Sequence, residues 1–157
     1  MATFTRSRRD TADVPHPVEA VWDLLVDPDA VARMTPLVAR IEARDDRWRW
    51  CLQGVPLPGR SLDLTMDEDM TFRPQSRIEF THPPLERHLQ AGASGHYALE
   101  PSAAGTRLTI DLTVSARLPL PGLAGPAVTT TMAQVLRQMG TRFATNLLAE
   151  LERRAGS

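Results

Sequence analysis

The sequence predicts an α+β protein in which one antiparallel sheet packs against a long C-terminal helix. Apolar and polar residues alternate over most of the chain between residues 38 and 118, as they do in strands with one buried and one wet face. Short turn-rich segments separate these strands, so strands that are neighbours in sequence are expected to pair as an antiparallel meander. Residues 126–153 then carry an apolar stripe at helical spacing. This helix, roughly 42 Å long, is the only element long enough to cover one face of the sheet.

The N-terminal part is predicted to form one strand and two short helices. Residues 3–14 alternate weakly, and the two prolines that follow break the strand. Residues 18–26 place their apolar side chains on one helical face. Asp27 is a good N-cap for a second helix, 28–34, which begins with a proline.

Six further strands are expected before the long helix. They are placed at 38–43, 47–53, 62–72, 77–81, 91–100 and 107–118. The strand at 62–72 has the cleanest alternation, while 54–59 and 118–126 are predicted to be loops because they are rich in glycine and proline. The length of 157 residues fits a single domain covering 1–157.

Composition excludes several classes of function. All 18 basic residues are arginine, so Schiff-base chemistry and a phosphate-binding P-loop, which need lysine, are excluded. Cys51 is the only cysteine, and the four histidines lack zinc-ligand spacing, so neither a disulfide nor a metal or other cofactor is expected. The net charge of −1 argues against nucleic-acid binding. Neither a membrane span nor a signal-peptide core is visible, which predicts a cytoplasmic protein.

Three stretches of the sequence resemble a known superfamily. The string VPHPVEAVWDLLVDP at residues 14–28 resembles the opening signature of the START-like helix-grip (SRPBCC) superfamily. The GTRL segment at 105–108 and the amphipathic C-terminal helix match the same pattern. The resemblance implies a curved seven-stranded sheet that grips the long helix around a cavity. Members bind lipids, polyketides, plant hormones or quinones, act as aromatase/cyclases, or co-activate chaperones, so function must be argued from the site.

If the apolar side of each strand faces the helix, the inward residues form the expected ligand-binding set. These are Trp48, Trp50, Leu64, Met66, Met70, Phe80, Tyr97, Leu99, Ile110, Leu112, Met132, Leu136, Met139 and Phe143. Ligand sites are mostly apolar with a few placed polar groups, and methionine adapts to irregular ligands. For most of these residues taken singly, a place in the ordinary core is the simpler interpretation, and only the set as a whole favours a pocket.

Glu68 interrupts the apolar face of the strand at 62–72. A buried, unpaired carboxylate is costly, which leaves three interpretations: a bulge that turns Glu68 outward, an internal ion pair, or a role with a ligand or a proton. Arg6, Arg8 and Asp10 also fall on an apolar side, that of the first strand, as expected for an edge strand or for polar groups of the cavity. Arg8 is the candidate partner of Glu68.

Tyr97 and His82 complete the set of candidate catalytic residues with Glu68. Tyr97 would bury its ring while its hydroxyl needs a partner, either in the protein or in a ligand. His82 and His88 flank the loop at 83–89, where a solvated histidine is the simpler interpretation and a general base the alternative. The acidic run at 67–69 is not expected to bind a metal, because neighbouring strand residues point to opposite faces.

The leading hypothesis is a carrier that binds a hydrophobic small molecule, such as a lipid, an isoprenoid or a polyketide-like compound, between the sheet and the helix. The long helix and the loops at 57–60 and 118–126 would control access, and transient membrane contact would be compatible with this role. Two alternatives stay open: a cyclase/aromatase-like enzyme using Glu68, Tyr97 and His82, and a partner-binding regulatory module without a ligand. The sequence leaves the oligomeric state undetermined.

Overall fold

The computed structural model describes residues 2–85 and 90–156 and contains one seven-stranded antiparallel sheet with three α-helices. The strands are β1 (Ala2–Val14), β2 (Val38–Arg44), β3 (Arg47–Leu57), β4 (Arg60–Arg73), β5 (Arg77–Thr81), β6 (Ala91–Pro101) and β7 (Thr106–Leu118). The helices are α1 (Val18–Leu25), α2 (Pro28–Met34) and α3 (Gly125–Ala155). The predicted α+β helix-grip fold is confirmed. Part of the predicted loop at 83–89, including His88, lies outside the described residues.

The sheet order is β1-β7-β6-β5-β4-β3-β2, so strands 2 to 7 form the predicted meander and β1 joins it at the far edge. β1 pairs with β7 along its whole length, from Ala2 opposite Leu118 to Val14 opposite Thr106. β1 is therefore an edge strand, which explains why its alternation in the sequence is weak.

The turn between β1 and α1 is in close contact with the turn between β6 and β7. Gly105 has a φ of 144°, and a Cβ built there would lie 2.6 Å from the carbonyl oxygen of His16. Only glycine fits this position, both for its backbone conformation and for the close approach. The Thr106 hydroxyl donates a hydrogen bond of 2.7 Å to the same carbonyl. Part of the GTRL segment therefore holds the N-terminal connection in place.

The region 54–59 was predicted to be a loop, and this prediction is wrong. β3 continues to Leu57 and pairs with β4, which begins at Arg60. Gly54 absorbs a register shift with a φ of 67°, and its N–H donates to the Asp63 carboxylate at 3.0 Å. Because a glycine takes the irregular position, the hairpin continues beyond it and reaches a tight turn at Gly59, where φ is 78°.

α3 is buried near both ends and less so in the middle. Val128 near its start is fully buried, and Phe143, Leu147 and Leu151 are buried towards its end. Between them, Met132, Leu136 and Met139 are only partly buried. The helix is therefore packed against the rest of the protein near both ends and is less closely packed in between.

Candidate functional site

A cavity of about 600 Å³ lies between the inner face of the sheet and the middle of α3. β3, β4, β6, β7 and β1 contribute most of its wall, and α3 forms its roof. Most of the expected ligand-binding residues line this cavity. They are Trp50, Leu64, Met66, Phe80, Tyr97, Ile110, Leu112, Met132, Leu136, Met139 and Phe143.

Trp48, Met70 and Leu99 were expected in the same set, but the structure places them outside the cavity lining. All three are buried in the core, and the Trp48 ring packs against Phe72 with ring centroids 6.1 Å apart. They point to the correct face of the sheet. They lie towards the end of the sheet where side chains fill the space under the helices, so they pack as core residues.

Small residues that were not predicted to belong to the site make room for the cavity. Ala91 and Ala93 on β6 and Ala116 on β7 are buried and line its wall. Ala91 pairs with Ala116, so two small side chains lie side by side. The sequence does signal this through the run AGASG at 91–95, where each inward position lacks a large side chain.

Glu68 faces the cavity and is 3% exposed. It lies opposite Trp48 in regular register, whereas the irregularity between β3 and β4 falls at Leu52 and Val55. The bulge interpretation is therefore wrong. No ion pair or hydrogen bond to the Glu68 carboxyl is formed by any other residue within 2–85 and 90–156. Burial raises the pKa of Glu68 to about 8, so the neutral acid is its main form at pH 7.

Tyr97 and Trp50 bring two further polar groups to the wall. The Tyr97 ring packs against Phe80 at a centroid distance of 5.4 Å, and its hydroxyl has no hydrogen-bond partner among the described residues. Burial, and then the nearby Glu68 charge, raise the pKa of Tyr97, which keeps its hydroxyl protonated. The indole Nε1 of Trp50 is buried and likewise finds no partner in the described part of the chain. Buried polar groups without partners are uncommon in proteins.

Arg8 does not pair with Glu68, because it is held by Asp10. Its Nε and Nη2 donate to the two Asp10 carboxylate oxygens at 2.6 and 3.2 Å. Both side chains line the cavity near its edge, where a Cβ on Gly140 of α3 would lie 3.6 Å from the Arg8 Nε. Of the three polar residues on the apolar side of the first strand, Arg8 and Asp10 therefore form a neutral ion pair beneath the helix, whereas Arg6 is exposed and does not line the cavity.

His82 is separated from Glu68 and Tyr97 and does not line the cavity. Its ring lies against Gly92, where any Cβ would collide with it, and its Nδ1 is 2.7 Å from the Pro83 carbonyl oxygen. Gly92 alternates with Ala91 and Ala93, so it faces the opposite side of the sheet. The expectation that His82 shares proton transfer with Glu68 and Tyr97 is not supported by this placement.

The acidic run at 67–69 splits between the two faces, as expected. Asp67 is buried on the outer face and accepts two hydrogen bonds from Arg49 at 2.8 and 3.0 Å, while Asp69 pairs with Arg47. Within the described residues, no three His, Cys, Asp or Glu side chains converge as metal ligands. Nor does any described helix have the length and apolar character to cross a membrane.

The sequence and the fold both resemble known proteins. Residues 1–152 match the family described as "Polyketide cyclase / dehydrase and lipid transport". No curated protein matches the sequence.

Solved structures with the same fold include the Zhui aromatase/cyclase from Streptomyces sp. R1128, with 19% identity, a TM-score of 0.69 and 96% of each chain covered. The di-domain ARO/CYC StfQ of the steffimycin biosynthetic pathway has 18% identity and a TM-score of 0.70; the match covers 98% of this chain and 53% of StfQ, so this chain spans about half of it. A conserved protein from Geobacillus kaustophilus has 16% identity and a TM-score of 0.69, with 97% and 96% of the two chains covered. At these identities the structures show a common fold, while the sequence match extends over nearly the whole chain. The chain belongs to the polyketide cyclase/dehydrase and lipid transport family.

Proposed function

We propose that this protein binds an apolar small molecule in the cavity between the sheet and α3. The observation that carries the proposal is the cavity itself, with about 600 Å³ of space under a helix whose ends are buried. Small-molecule sites in proteins have volumes of about 300–1,000 Å³ and mostly apolar walls. Family membership supports the proposal, since the family description includes lipid transport.

The direct test fills the cavity from the sheet side. Ala93→Leu places a larger apolar side chain on the wall, and is expected to abolish binding of the neutral apolar dye Nile red, measured by fluorescence titration. Ala98→Leu is the matched control, because Ala98 lies on the same strand and on the outer face of the sheet. Equal binding of the dye by wild type and Ala93→Leu, or no binding by wild type, would contradict the proposal.

A second candidate function is acid–base catalysis on a ketone-bearing substrate, as in a cyclase or dehydratase. It is favoured by Glu68 and Tyr97 together: one group changes protonation near pH 8, and the other is a hydroxyl that stays protonated beside it. Ionised Glu68 would remove a proton from the carbon next to a carbonyl. Tyr97 would donate a hydrogen bond to the oxygen that becomes an enolate. Two of the structural relatives are named as an aromatase/cyclase and a di-domain ARO/CYC protein.

Proton abstraction is measurable without the natural substrate. In D₂O, the wild-type protein is expected to accelerate exchange of the acetyl protons of 2-acetylnaphthalene, followed by NMR, while Glu68→Gln is expected to exchange them at the rate of buffer alone. A wild-type rate equal to that of buffer would contradict this second function and leave the binding function intact. The partner-binding alternative has no observation in its favour among the described residues.

A further inference from the structure

The polar groups of the cavity wall divide into a paired set and an unpaired set. Arg8 and Asp10 neutralise each other, and Asp13 pairs with Arg107 at 3.5 Å. The buried or half-buried groups without a described partner are Glu68, Tyr97 and the indole N–H of Trp50, whereas the hydroxyl of Thr141, which also lines the cavity, belongs to an exposed residue. The charges on the wall are therefore satisfied by the protein, while three buried or half-buried polar groups are left to the contents of the cavity.

All three unpaired groups are hydrogen-bond donors. An indole N–H only donates, a tyrosine hydroxyl donates readily, and a protonated carboxyl presents one O–H. Such donors match the lone pairs of carbonyl, ester or ether oxygens. A hydrocarbon would leave them unsatisfied, which weakens its binding relative to a ligand that accepts their hydrogen bonds.

The same wall does not suit an anionic ligand. Arg8 is the only cation among the described lining residues, and both carboxylate oxygens of Asp10 already occupy it. A ligand carboxylate would lose its hydration without gaining a free cation, and it would lie in the same cavity as Glu68.

We propose that Glu68, Tyr97 and Trp50 form a donor set that selects an uncharged apolar ligand bearing acceptor oxygens, such as a ketone, quinone or ester, and rejects carboxylates of the same shape. This inference rests on the proposed binding function and narrows it to a chemical class. It also assigns Trp50 a polar role in addition to its apolar one.

The donor set depends on pH through Glu68. The other charged or titratable residues that line the cavity are Arg8, Asp10 and Asp13 on β1 and Tyr97 on β6; the lining positions of β3, β7 and α3 carry none in the described chain. Since the pKa of Glu68 is about 8, the carboxyl loses its proton above that pH and changes from donor to anion. Affinity for a ketone therefore falls at high pH. A hydrocarbon of the same shape accepts no hydrogen bond, so loss of the Glu68 donor does not weaken its binding.

Three naphthalenes of matched shape test the inference by titration calorimetry: 2-acetylnaphthalene, 2-ethylnaphthalene and 2-naphthoate. At pH 6.5 we expect the ketone to bind about tenfold more tightly than the carboxylate and several-fold more tightly than the hydrocarbon. At pH 9.5 the advantage of the ketone over the hydrocarbon should shrink, because Glu68 no longer donates while Tyr97 and Trp50 still do. Glu68→Gln keeps an N–H donor and cannot ionise, so it should bind the ketone equally at both pH values.

Trp50→Phe and Tyr97→Phe remove one donor each and should weaken ketone binding several-fold while leaving binding of the hydrocarbon unchanged. Circular dichroism and thermal unfolding would check that each variant folds. Equal affinities for the ketone and the hydrocarbon at pH 6.5, or tighter binding of 2-naphthoate, would overturn the donor set and leave the binding function standing. If Nile red binds and none of the three naphthalenes does, the donor set is likewise wrong; if Nile red also fails to bind, the binding function itself is wrong.

Discussion

The two parts of α3 lie over very different parts of the same sheet. Towards its C-terminal end it meets α1 and α2, where Leu24 and Leu25 are fully buried. Polar contacts also join this end to α2: Asn146 donates to the Met34 carbonyl at 2.9 Å, and Arg33 pairs with Glu150 at 2.8 Å. We call this region the packed end. The middle of the helix, from Met132 to Gly140, instead faces the cavity, and the lining continues as far as Leu148, so the two regions overlap at Phe143 and Leu147.

The difference shows that in this protein only part of the interface between α3 and the sheet is filled by side chains. At the packed end, large apolar residues from three helices and the sheet supply the close packing on which stability depends. Under the middle of the helix, alanines on β6 and β7 leave space, and partly buried methionines and leucines border it. The packed end therefore contributes most to stability, whereas the middle of α3 and the strands beneath it leave the space for binding.

The largest expected contrast compares one leucine from each region. Leu24→Ala at the packed end should lower the free energy of unfolding by about 3–5 kcal/mol, because the side chain is fully buried and leaves a cavity behind. Leu136→Ala on the roof of the cavity should cost much less, since its side chain is only partly buried and already borders open space. Urea unfolding of both variants measures the difference. Equal losses would show that the two regions are packed alike.

The next contrast is the dependence of stability on pH. An unfolded Glu68 ionises near its ordinary pKa of 4.5, whereas the folded protein keeps it protonated up to about 8. The folded state therefore binds more protons between these values, and stability falls as pH rises through this window, by up to about 1.4 kcal/mol per pH unit. Above pH 8 both states are ionised and the loss from this residue levels off.

Glu68→Gln should flatten this slope, measured by urea unfolding between pH 5 and 8.5. Glu100→Gln is a matched control, because Glu100 is exposed near the end of β6 and should keep the wild-type slope. If wild type were equally stable at pH 5 and pH 8, Glu68 would have to be paired or hydrated in the folded protein.

The smallest expected effect concerns the ion pair under the middle of the helix. Arg8→Met breaks its contact with Asp10, and should cost less than about 1 kcal/mol because both side chains are partly exposed. Arg6→Met provides the reference for losing an arginine from the same strand, because Arg6 is exposed and forms no ion pair within the described residues. A loss as large as that of Leu24→Ala, measured by the same unfolding assay, would show that the middle of the helix is held as firmly as the packed end.

The sequence predicted the fold well because its signals are local. The alternation of the strands, the N-cap at Asp27 and the helical stripe of α3 each depend on neighbours in the chain, and the structure has these elements within a few residues of their expected positions. The hairpin through Gly54 was missed because glycine and proline indicate a loop, although one glycine can absorb a bulge inside a strand.

The site was harder to predict. The alternation of residues in a strand tells which face of the sheet a side chain lies on, but not which part of α3 it lies under. Trp48 and Trp50 share a face, yet only Trp50 reaches the cavity. Glu68 was recognised as anomalous, but whether it is paired depends on the strand across the sheet and on Arg8, which Asp10 already holds. Ala93 contributes to the cavity because its side chain is small and leaves space. The alternation of apolar and polar residues does not reveal such a contribution.

The methionines test the central claim most directly, because they divide between the two regions. Met66, Met132 and Met139 line the cavity, whereas Met34 and Met70 are buried outside it. In protein labelled with ¹³C at the methionine methyl groups, titration with 2-acetylnaphthalene should shift the resonances of the first three, with nuclear Overhauser contacts to the ring, and leave those of Met34 and Met70 in place. Shifts confined to Met34 and Met70, or no methionine shift at saturating ketone, would contradict a ligand site between the sheet and the middle of α3.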